Sequence, residues 1–125
     1  IGISVRIDRN RHPKSGADII ADICGDLDPS LSEKFGTIIC CEVLEHTLNP
    51  FIAVEKLHGL LKKGGTLLIS TPFNLRIHGP FPDCWRFTET GLRVLLKDFK
   101  TVEIRTLNHF IRRLMPIHYT CIAIK

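Results

Sequence analysis

The stretch TIICCEVLEHTLNPFIAVEKLHGLLKKGGTLLISTP, residues 37–72, decides how this chain folds. It opens on Thr37 to Cys41, a short uninterrupted apolar run of the kind expected of a strand covered on both faces. Asn49-Pro50 then starts a helix. Asn offers a side-chain oxygen to unpaired backbone N–H groups, and Pro at the first helical position lacks a donor that would have no partner anyway. Phe51, Val54, Leu57 and Leu61 recur at helical spacing, which predicts a helix from Pro50 to Leu61. Gly64-Gly65 reads as its end, with Lys62 and Lys63 suited to the negative C-terminal pole. Thr66 to Thr71 is another buried-type strand, stopped by Pro72.

Working outward, Ile3 to Asp8 is a β-branched, apolar strand ending in a carboxylate, and Asn10 to Gly16 has the composition of a loop. Ala17 to Ile23 is a further apolar stretch with Asp22 near its end, and Gly25 to Phe35 is polar with room for one short helix. Downstream, a loop with Gly79, Pro80 and Pro82 leads to Thr88, which caps a helix from Glu89 to Lys97 that buries Leu92, Leu95 and Leu96. Thr101 to Thr106 and Tyr119 to Ile124 are the closing strands, and their long connection suits antiparallel pairing at one edge. The alternation predicts an α/β fold, a doubly wound and mostly parallel sheet with helices on both faces, formed by residues 1–125 as a single domain.

The composition is that of an ordinary globular chain, with 44% hydrophobic and 24% charged residues, and it excludes disorder. No apolar run has the length of a membrane span and no signal sequence opens the chain, so a cytoplasmic protein without a membrane partner is expected. Cys24, Cys40, Cys41, Cys84 and Cys121 are odd in number and lack CxxC spacing. They read as reduced thiols, and nothing in the sequence calls for a metal. The net charge of +4 is spread along the chain except from Arg105 to Arg113, where Leu107, Phe110, Ile111, Leu114 and Met115 accompany Arg112 and Arg113. That run reads as an amphipathic helix facing solvent or a subunit, and no nucleic-acid partner is expected.

Ligands in such sheets bind outside the carboxyl ends of the strands. The rule selects Asp8, Asp22, Cys41-Glu42 and Thr71-Pro72-Phe73. A carboxylate there can accept two hydrogen bonds from a ribose diol, and a second can accept from an adenine amino group. Either acid can equally cap a turn or face water.

The segment EVLEH (residues 42–46) followed by Asn49-Pro50, then LKKGG (61–65), STPF (70–73) and HGPFPDCWRFT (78–88) resembles, in this order, the class I S-adenosylmethionine-dependent methyltransferases. The likeness is to a branch with EVLEH after the fourth strand, and it runs from about Ile3 to Lys125. It implies a Rossmann-like fold, S-adenosylmethionine as cofactor, and methyl transfer to a small-molecule or glycan-like acceptor. By the same resemblance Asp8 holds the cofactor ribose, Asp22 lies beside adenine, and Cys41 and Glu42 flank the cofactor. Ser4 competes with Asp8 if the strand is shifted. His46 orients an acceptor or makes local bonds at a helix start. His78 and Asp83 stand on an acceptor-binding loop, or Asp83 pairs with Arg86. Trp85 and Phe87 read as packing anchors.

Lys56, Gly59 and Lys63 stand where family members commonly carry Glu, Arg and Pro, and Cys84 where an aromatic is usual. The family's first strand and glycine-rich loop have no counterpart between Ile1 and Lys125; they are expected before Ile1, so the sheet is read as incomplete at its N-terminal side. Without them the slot between the strands ending at Asp8 and Cys41 needs a filler: upstream residues, the strand at Ile3 to Asp8, or a second copy of the chain. The alternative function is a methyltransferase-fold relic or interaction module that has lost cofactor binding.

Overall fold

A computed structural model describes residues 6–9, 16–107 and 115–125 of the chain. Strands β1 (Ile7–Asp8) and β2 (Ile19–Ile20) pair in parallel. A 3-10 turn at Pro29–Leu31, capped by the Asp28 carboxylate, leads to β3 (Phe35–Cys41). A second 3-10 turn, Leu44–His46, precedes helix α1 (Pro50–Leu60), strand β4 (Leu61–Pro72) and helix α2 (Glu89–Leu95). Strands β5 (Thr101–Leu107) and β6 (His118–Ile124) complete the described chain.

Two of the helix signals act as the sequence predicts. The Asn49 side chain accepts from the N–H groups of Phe51 and Ile52, and Thr88 Oγ1 accepts from Gly91 N. Helix α1 buries Pro50, Ala53, Val54, Leu57 and Leu60 and leaves Phe51 exposed, so the buried stripe lies beside the one expected. Gly64-Gly65 does not end the helix, which stops at Leu60, and Lys62 and Lys63 lie beyond it in β4. Along the β3–β4 pair, Phe35 faces Leu61 and the next partners are Thr37 and Thr66. Residues 62–65 therefore bulge from the ladder, with Gly64 at φ +74°, a conformation that favours glycine.

The larger sheet has the order β3-β4-β6-β5. The pair β3–β4 is parallel, while β6 runs antiparallel to both β4 and β5. The expected antiparallel edge is thus present, with β6 inserted beside β4. Cys40, Leu67, Ile69, Cys121 and Ala123 share one face of this sheet and join Ala53, Val54 and Leu57 of α1 and Leu92, Leu95 and Leu96 beside α2 in a single core.

The pair β1–β2 forms a separate sheet, where one continuous sheet was expected. Strand β1 pairs with β2 and does not enter the slot beside β3. Among the described residues no strand lies between β1 and β3, and Ile39 on this edge strand is 70% exposed. Residues 3–5 of the first predicted strand, Ser4 and most of the 10–16 loop lie outside the described residues. So does most of the helix expected from Arg105 to Arg113; its first residues, Arg105 to Leu107, belong to β5, where pairing with β6 overrides the amphipathic pattern.

Candidate active site

A cavity of about 680 Å³ lies between the two sheets. Residues 6–9, 21–23 and Ala17 form one wall, and residues 35, 37–40, 42 and 43 the other. Leu57 and Leu60 of α1 also reach it, as do His46, Thr47, Leu48 and Pro80. Three carboxylates border it: Asp8, Asp22 and Glu42. One Asp22 oxygen accepts from Cys24 N at 2.8 Å, so this acid also caps its own turn.

Glu42 is the most constrained of the three. Its φ of +52° is a left-handed conformation that costs a non-glycine residue of order 1–3 kcal/mol. The residue is fixed there because its N–H donates to Ser70 O, while its carboxylate accepts from Ser70 Oγ at 2.7 Å and lies 3.2 Å from His118 Nε2. Ser70 opens the STPF motif but was given no role from sequence, and His118, a histidine at a strand position, carries no distinctive local signal. Cys41 is not among the residues that line the cavity, whereas Cys40 is. Strand alternation turns Cys40 toward the core, where burial pushes its thiol up to about 12.

A second polar cluster adjoins the cavity at His46. The loop carrying His78 and Asp83 is stitched to the Leu44–His46 turn: the N–H groups of Cys84 and Trp85 donate to Glu45 O, and Trp85 Nε1 donates to Thr47 O. Trp85 stacks near Phe87 but is 39% exposed, so of the two expected anchors Phe87 is the buried one. Asp83 accepts from the Arg86 guanidinium and from His78 N, and these bonds hold its carboxyl well below the usual range. His46 Nδ1 lies 2.9 Å from Pro82 O, and the two imidazole rings meet edge to face with centroids 5.0 Å apart. The fold thus brings His46, His78 and Asp83 together, away from Asp8 and Asp22 in sequence, and adds Glu45. That glutamate is fully buried, and both its carboxylate oxygens lack a hydrogen-bond partner. Burial raises its pKa. Its place inside EVLEH, between two residues already selected, was the signal available for it.

Whether S-adenosylmethionine suits this cavity is a question of donors and acceptors. Three carboxylates fit a nucleoside, which presents a diol and an amino group as donors. The methionine end is a zwitterion that calls for close backbone N–H approach, and no described glycine lines the cavity. The described residues therefore fit the adenosine half.

The parallel pair β3–β4 joined through α1, with acids beside a cavity at strand ends, fits a Rossmann-like α/β domain. Residues 5–120 match the family described as "Methyltransferase domain". The chain belongs to this family, the class I S-adenosylmethionine-dependent methyltransferases. Among curated proteins it is similar to a ubiquinone biosynthesis O-methyltransferase of Glaesserella parasuis, 50% identical over 40 residues. That match takes in 32% of this chain and spans 17% of the relative's length. Among solved structures it is similar to a methyltransferase from Archaeoglobus fulgidus, with TM-score 0.71 and 14% identity over 95% of this chain and 74% of the other. It is also similar to a 1,6-didemethyltoxoflavin-N1-methyltransferase from Burkholderia thailandensis, solved with S-adenosylhomocysteine (TM-score 0.64, 20% identity, 95% and 59% covered). At these identities the structural likeness establishes the fold. No helix among the described residues is long and apolar enough to cross a membrane.

Proposed function

We propose that this domain serves methyl transfer from S-adenosylmethionine to a small-molecule or glycan-like acceptor. The observation that carries the reading is the convergence of Asp8, Asp22 and Glu42 on one cavity. In this reading Asp8 accepts from the ribose diol, Asp22 from the adenine amino group, and Glu42 borders the cofactor just beyond β3, while Cys41, which does not line the cavity, takes no part. His46, His78 and Asp83 orient the acceptor from the adjoining loop. The cofactor supplies an electrophilic methyl group when bound; the protein's part is alignment and exclusion of water.

A second reading is an interaction module of methyltransferase fold without cofactor binding; the observation behind it is that no glycine is found among the described residues lining the cavity. Equilibrium dialysis with millimolar S-adenosylhomocysteine separates the two. Methyl transfer predicts measurable occupancy, reduced several-fold by Asp8→Asn and Asp22→Asn and unchanged by Glu55→Gln on the exposed side of α1. No occupancy at any concentration supports the interaction module.

A further inference from the structure

The geometry points to a divalent-cation site formed by Glu45, His46 and His78, suited to zinc. His46 Nε2 lies 3.7 Å and His78 Nε2 3.9 Å from the same oxygen, Glu45 Oε1. The three ligating atoms all lie within 4.8 Å of one another. Zinc bonds of ~2.0–2.2 Å at tetrahedral angles put ligand atoms about 3.3 Å apart, so small side-chain rotations close the set on one ion.

Pro82 O can only accept, so the 2.9 Å contact requires His46 Nδ1 to hold the proton. An Asp83 oxygen lies 3.3 Å from His78 Nδ1, a buried ring nitrogen with no hydrogen-bond partner. Both Nε2 atoms face Glu45, whose carboxylate is fully buried with neither oxygen hydrogen-bonded. A cation among these three ligand atoms would satisfy the buried carboxylate, which has no other partner for either oxygen. A ring nitrogen anchored by a carbonyl, as His46 Nδ1 is by Pro82 O, is also the usual support of a zinc-bound histidine. Three protein ligands leave a fourth position for water or an acceptor oxygen. Only that last step rests on the methyl-transfer reading, under which a bound acceptor hydroxyl would lose its proton more readily.

Titration of the 125-residue chain with zinc sulfate, and with cobalt(II) chloride as a spectroscopic probe, tests the site. One equivalent should bind with micromolar or tighter affinity. Cobalt should give visible bands without the near-ultraviolet charge transfer that thiolate ligands from Cys24, Cys41 or Cys84 would produce. Glu45→Gln and His78→Gln should each weaken binding at least tenfold; His78 is part-exposed, so the second variant retains the fold if the first does not, as circular dichroism would report. No binding, undiminished binding by both variants, or a thiolate spectrum would overturn the site. Each of those results leaves methyl transfer untouched, because that reading is tested by nucleoside occupancy.

Discussion

A Cβ built on Gly65 would lie 2.9 Å from Lys62 O and 3.2 Å from Gly36 O, both backbone atoms that cannot swing aside. At Gly59, inside α1, the same atom would meet nothing within 4 Å. Gly65→Ala should therefore cost about 1–3 kcal/mol, and Gly59→Ala should add about 0.5–1 kcal/mol by lowering the entropy of the unfolded chain. Urea midpoints at unchanged slope check both. Asp83 supplies a pH test. Its folded pKa is depressed from 3.8, first by Arg86 and then by His78 N, so its contribution to stability is present above that value and lost as pH falls below it. Asp83→Asn should lower the melting temperature by a few degrees at pH 7 and change it less at pH 3. An equal loss at both would mean that the charge contributes nothing.

At the level of elements, alternation along β3 places two adjacent cysteines in opposite environments. Cys40 is buried with its thiol pushed up to about 12, and Cys121, its neighbour across β4 in the core, is pushed up to about 11 by burial. Cys41 and Cys84 are exposed. Ellman's reagent at pH 8 should modify Cys41 and Cys84 quickly and reach Cys40 and Cys121 only in denaturant, as peptide mapping would show. Rapid labelling of Cys40 would contradict the strand register. The helix starts at Asn49 and Thr88 were legible because a cap is a local interaction. The phase of the buried stripe on α1 was less so: Phe51 is apolar but exposed, because tertiary packing buries Pro50, Ala53, Val54, Leu57 and Leu60 instead.

For the whole molecule, the cavity between the sheets sets the affinity expected under the proposed function. In the proposed reading its acids hold ribose and adenine, while the described lining lacks a glycine for close backbone approach to the methionine end. Losing two or three hydrogen bonds at roughly 1 kcal/mol each weakens binding by about one to two orders of magnitude. The polypeptide of residues 1–125 should accordingly bind S-adenosylmethionine more weakly than micromolar in calorimetry. Low-micromolar binding would mean that the residues bordering this cavity satisfy the entire cofactor.

The sequence by itself determined the local elements, the family and the acids at strand ends. Asn49-Pro50, Thr88 and the apolar runs act through neighbours in the chain, and EVLEH, GG, STPF and the tryptophan-bearing loop are contiguous words. The tertiary structure alone decided the rest. Strand β6 lies between β4 and β5 because pairing is a long-range choice that no local pattern encodes. Gly64-Gly65 bulges rather than ends a helix because β4 must pair with Phe35 before it and Thr37 after it. Glu45 meets His46 and His78 because the Pro-rich loop folds back and bonds to the turn after β3. A buried carboxylate facing two ring nitrogens exists only once that loop has docked.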